Sequence, residues 1–101
     1  MTMTTKMHEP ITPGEILLTE FLEPLGISQY RLAQATGVSQ TRISEIVRGK
    51  RSISIDTALR LSKALGVDDR FWINIQTDYD LEVQRDLHGE ELARVVNLVA
   101  S

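Results

Sequence analysis

Residues 36–54 read TGVSQTRISEIVRGKRSIS. The stretch carries Arg42, Arg48, Lys50 and Arg51 against one acid, Glu45, in a chain whose net charge is −3. With Arg31 included, residues 28–51 hold five bases and one acid, net +4, whereas residues 68–101 hold three bases and eight acids, net −5. A basic segment inside an acidic chain points to a polyanion at that one place and argues against indiscriminate nucleic-acid binding over the whole surface.

The same stretch contains helix start and stop signals. Ser28 can cap a helix QYRLAQAT that closes at Gly37, and Ser39 can cap a second, QTRISEIVR, that closes at Gly49. Gly37-Val38-Ser39 then makes the tight turn of a helix-turn-helix. Ala33 is small where the two helices cross, and Leu32, Val38, Ile43 and Ile46 are spaced to fill the seam behind them. At about 100° per residue the second of these helices turns Ile43, Ile46 and Val47 inward and Thr41, Ser44, Glu45 and Arg48 outward.

An α-helix fits the major groove of B-form DNA, and its first turns reach base edges. Gln40, Thr41, Arg42, Ser44 and Glu45 are therefore the expected base-reading residues: Gln suits adenine, Arg guanine, a carboxylate the cytosine amine, and the threonine methyl thymine. Gln29 and Ser39, at two helix starts, are expected on phosphates together with Arg48, Lys50 and Arg51. Arg42 and Glu45 stand three residues apart and can also pair with each other, which would draw Arg42 away from guanine.

Working outward, Thr12-Pro13-Gly14-Glu15 opens a helix over about 13–24 that Pro24-Leu25-Gly26 ends. Its apolar positions Ile16, Leu17, Phe21 and Leu22 keep roughly helical spacing. Ser54 caps IDTALRLSKAL, which closes at Gly66. Asp68 and Asp69 lead into RFWINIQTDYDLEVQRDL, with Phe71, Trp72, Ile75, Tyr79 and Val83 on one side. That stripe reads as core, with an exposed part against a second copy as the alternative; its indole and phenol groups require hydrogen-bond partners if buried, and Asn74 and Gln76 either supply these or cap a neighbouring helix. No strand is expected before His88-Gly89, and EELARVVNLVAS reads either as a short helix or as an extended apolar arm.

The 101 residues, 42% hydrophobic and 25% charged, make one domain with one modest core. No apolar run approaches the ~20 residues of a membrane span. There is no cysteine, so disulfides and thiolate chemistry are absent, in keeping with a cytoplasmic protein. The opening MTMTTKMHEP lacks the apolar core of a secretory signal. His8 and His88 lie apart in tail-like sequence, so neither a metal nor another cofactor is expected. A Gly-rich phosphate loop and a G-x-S-x-G turn are both missing, and an enzyme is not expected.

Three blocks carry a family likeness: PGEILLTEFLEPLGIS (13–28), the quoted stretch with TALRLSKALG (57–66), and FWINIQTDYDLE (71–82). In order and spacing they resemble antitoxins of the HigA type, within the Xre/Cro-like helix-turn-helix family, over about residues 10–87. The resemblance implies an all-α, five-helix, lambda-repressor-like domain over 10–87, with a tail over 1–9 and an extension over 88–101, possible site of dimerisation contacts. It further implies a homodimer that binds double-stranded operator DNA, represses its own operon and neutralises a HigB-type toxin, a ribosome-dependent ribonuclease. In related repressors the residues matching Gln29, Gln40, Thr41, Ser44 and Glu45 lie at the DNA, and in related antitoxins those matching Ser39 and Arg42 do so as well. Two alternatives stay open: a solitary repressor without a toxin, and a toxin-binding module with little DNA binding. The acidic excess beyond residue 68 is a solvated surface or a docking face for a basic toxin.

Overall fold

The computed structural model describes residues 9–99, so the tail expected over 1–9 lies almost wholly outside the described residues. Among them the chain forms five helices and no strand. Helix α1 spans 13–25. Thr12 Oγ1 accepts from the Glu15 amide at 3.1 Å and Pro13 takes the first position, where its missing N–H costs nothing.

This helix departs from the expected regular spacing. Between α-helical turns at Pro13–Ile16 and Glu23–Leu25, the segment Leu17–Leu22 winds as a π-helix. Leu17 and Leu22 explain it: both are buried, at 0% and 2% exposure, although five residues apart. A regular α-helix would set them about 140° apart, whereas the wider turn delivers both to the core.

Helices α2 (Gln29–Thr36), α3 (Gln40–Val47) and α4 (Ile55–Leu65) start as the serines demand. Ser28, Ser39 and Ser54 each accept from the amide three residues on, at 3.0, 3.1 and 3.2 Å. Helix α3 ends one residue earlier than the spacing predicts, because Arg48 already leaves helical geometry (φ −83°, ψ 3°) before Gly49 turns at φ 74°.

Helix α5 (Phe71–Ala93) is interrupted at His88 (φ −122°, ψ 21°), then resumes to Ala93; residues 95–99 follow in irregular backbone. Both readings of the last segment are thus realised in succession, a helical turn or two and then an apolar arm.

Leu17, Leu22, Leu32, Ile43, Ile46, Leu61 and Trp72 form the centre of one core. Phe21, Phe71 and Trp72 meet with centroids 5.2–5.6 Å apart in edge-on and tilted contacts, the geometry their ring quadrupoles favour. The aromatic stripe is therefore core at its start, while Ile75, Tyr79 and Val83 stay half-buried. The expected partners for the indole do not materialise. Trp72 Nε1 has no acceptor among the described residues, since Gln76 is turned toward Ile53 and Asp80 instead. Leu81 is exposed, and beyond Val83 every residue of the helix is, Leu87 and Leu92 among them.

Candidate nucleic-acid interface

Helix α3 is seated by its inner face. Ile43 and Ile46 are 0% and 1% exposed, and Leu32, Ala33 and Val38, the other residues predicted for the seam, are all buried beside them. A helix held this way has little freedom to roll, so its outer face points in a defined direction. Gln40, Thr41, Arg42, Arg48, Lys50 and Arg51 are exposed, and Ser44 and Glu45 are half-buried. Gln40, Thr41, Ser44 and Arg48 together line one open hollow of about 370 Å³. Three of the predicted base-reading residues and one predicted phosphate contact thus share a single surface. Gln29 lies half-buried on a different surface hollow, and Lys50 and Arg51 lie in the loop after α3.

The ion pairing differs from the sequence reading. Glu45 Oε1 accepts from Arg51 Nε at 2.8 Å, across six residues, and not from Arg42. The chain reverses at Gly49, which brings Arg51 back over the end of α3. Arg42 consequently has no side-chain partner among the described residues and keeps its guanidinium available, whereas the charge of Arg51 is already partly compensated. Ser39 Oγ accepts from the Arg42 amide as the cap, which leaves its own O–H to donate outward. Arg48 folds back, donating from Nε to the Ser44 carbonyl at 3.4 Å.

Three further residues position this surface: Gly14 and Gln76, read from sequence in other roles, and Arg60, which sequence did not single out. Gly14 lies where α1 presses on the end of α3: a Cβ built there would sit 1.7 Å from the Ile46 carbonyl oxygen. A glycine in the first turn of a helix is a poor helix former, and that was the available signal. Arg60 of α4 pairs with Asp56 at 3.0 Å and donates from Nη1 to the Thr36 carbonyl at 2.8 Å, putting a cation on the carboxyl end of α2 just before the turn. Gln76 of α5 accepts from the Ile53 amide at 2.8 Å with its Oε1 and donates to Asp80 with its Nε2. The turn before α3 is thus tied to α4, and the loop after it to α5. Spacing announces the Asp56–Arg60 pair but neither of the long-range contacts.

A capped helix with a polar outer row, set across a second short helix through a three-residue turn, defines a helix-turn-helix protein. The helix-turn-helix family model matches residues 18–72. Virulence-associated protein I of Dichelobacter nodosus is 53% identical over 73 residues, covering 72% of this chain and 68% of that protein. Antitoxin HigA-1 of Vibrio cholerae is 37% identical over 99 residues, 98% of this chain and 93% of that one. The solved structure of the Pseudomonas aeruginosa antitoxin HigA with the higBA promoter superposes with a TM-score of 0.83 at 37% identity, covering 91% of this chain and all of that one. The chain belongs to the HigA-type antitoxins of the Xre/Cro-like helix-turn-helix family. Among the described residues no helix is long and apolar enough to cross a membrane.

Proposed function

We propose that this chain is the antitoxin of a type II toxin–antitoxin system. It binds operator DNA as a dimer, represses its own operon and neutralises a HigB-type ribonuclease toxin in the cytoplasm. The observation that carries the DNA reading is the polar row of exposed Gln40 and Thr41 and half-buried Ser44 on a helix whose opposite face is sealed by Ile43 and Ile46. Gln40, Thr41, Arg42 and Ser44 read base edges. Glu45, held by Arg51, meets a cytosine amine only if that pair opens or rotates. Gln29, Ser39, Arg48, Lys50 and Arg51 contact phosphates, with Arg51 the weakest of them for the reason given above. The Pseudomonas relative, solved with its promoter, supports this reading by likeness.

The dimer reading rests on the end of the chain. Leu92, Val95, Val96, Leu98 and Val99 are 52–94% exposed, a run of apolar surface that a soluble monomer rarely leaves in water. We assign residues 10–87 to DNA binding and 88–101 to dimerisation, with the break at His88 as the boundary. A twofold dimer sets its two α3 helices roughly 34 Å apart to enter successive major grooves, so the operator should hold two half-sites about ten base pairs apart.

The test is a gel shift on the chain's own promoter fragment, together with co-purification of the product of the adjoining reading frame. If each dimer neutralises about six to ten phosphates, affinity falls by about 10³ to 10⁵ between 50 and 200 mM salt. Pure protein that never shifts this fragment removes the DNA reading. A shift without any co-purifying basic protein leaves a solitary repressor.

A further inference from the structure

A hollow of about 330 Å³ lies between the segment ahead of α1 and the middle of α5, and no residue of α2 or α3 lines it. Ile11, Ile16, Ile75 and Tyr79 give it an apolar floor. Ile11 is 61% exposed, although it lies in a cleft and not at a loop tip. Glu9, Asp78 and Glu82 form the rim, all three exposed. None of the three makes a hydrogen bond or ion pair among the described residues. Of the other carboxylates, Glu45 is engaged by Arg51, Asp56 by Arg60, Asp80 by Gln76 and Glu91 by His88; the rest are exposed and line no part of this groove.

An apolar floor under three uncompensated like charges is a poor surface to leave empty, and its complement is specific. A long basic side chain lays its methylenes along aliphatic surface and its charged head among carboxylates, with an apolar neighbour filling the floor. Two parts of a second copy are poor complements: the strongly basic stretch, 28–51, is the DNA face, and the exposed arm brings the single cation Arg94 together with the acids Glu90 and Glu91. We infer that the groove bounded by Ile11, Ile16, Ile75, Tyr79 and the Glu9, Asp78 and Glu82 carboxylates is the docking site for a basic segment of the partner protein, an Arg or Lys beside an apolar anchor. The inference rests on the toxin-neutralising reading above and names the surface that performs it. Opposed charge steers the encounter, and the apolar anchor then slows release.

The test measures binding of the purified basic protein from the adjoining reading frame to full-length chain, with operator shifts and sedimentation run alongside. Asp78→Asn with Glu82→Gln should weaken that binding ~10-fold or more, mainly through the association rate, and flatten its salt dependence. Ile11→Ser should weaken it ~10-fold, mainly through faster dissociation. The control pair Glu20→Gln with Glu23→Gln removes equal charge from exposed positions of α1 outside the groove and should leave it unchanged. All variants should melt as the parent does and still shift the promoter fragment. Groove variants that bind the partner as the parent does overturn the docking site alone. Groove variants that fall from dimer to monomer show that a second copy occupies it, which also overturns the proposal. A parent chain that binds no such partner overturns both this inference and the toxin reading.

Discussion

Replacing Gly14 with alanine sets two opposed effects against each other. Gly14 is inside α1 with ordinary helical backbone, and by intrinsic preference alanine there should stabilise the helix by about 0.5–1 kcal/mol. The tertiary contact says the reverse. The added Cβ would stand 1.7 Å from the Ile46 oxygen, 2.6 Å from its carbon and 2.9 Å from Val47 Cα. All three are backbone atoms, so no side chain can rotate away. Reaching an ordinary separation of roughly 3.5 Å requires α1 to retreat from α3 by nearly 2 Å. Overpacking of this kind costs about 1–3 kcal/mol and occasionally more, and an unyielding backbone neighbour places Gly14→Ala at or above the upper end. For a domain of this size ~3 kcal/mol lowers the melting temperature by roughly 12–24 °C. The assay is a thermal melt by circular dichroism, with an operator shift on whatever remains folded, because α1 presses on the end of the reading helix. An alanine variant that melts at or above the parent's temperature would refute the close approach, and with it this account of how α3 is seated.

Other perturbations separate the parts of the surface. Gln40→Ala should cost about 1–3 kcal/mol on the operator and relax its preference at one base pair, whereas Lys50→Ala should weaken all sequences alike and reduce the salt slope by about one. Identical behaviour of the two in a gel-shift series sinks that division of labour. Gln76→Leu strands the buried Ile53 amide and should destabilise the fold by about 1–3 kcal/mol in urea denaturation. A variant as stable as the parent would mean that this hydrogen bond is not what anchors the loop. Truncation after Leu87 removes the exposed arm and should yield a monomer in sedimentation with much weaker operator binding; a truncated chain that remains dimeric puts the contact elsewhere.

The helix boundaries and the face α3 buries were legible because their causes are local. A serine oxygen reaches an amide three residues away, and the apolar period of 3.6 residues decides which side chains turn inward. The π-helical turn was less legible, although Leu17 and Leu22 were both identified as apolar. Their spacing of five conflicts with α geometry, and only the position of the core shows that the backbone yields while the side chains stay buried.

By itself, then, the sequence determined five helices, four of them opened by a side-chain cap, the inward set of Leu32, Ala33, Val38, Ile43 and Ile46, and the location of the basic stretch. Tertiary structure alone decided that Arg51 and not Arg42 holds Glu45, that Gly14 admits the Ile46 carbonyl, and that Arg60 and Gln76 brace the two ends of the reading helix against elements 24 and 23 residues away. The physical reason is range. Capping and amphipathic period act within a turn or two of chain, whereas contacts between distant residues depend on how whole helices cross. That crossing is set by the summed packing of the core and is written in no single spacing.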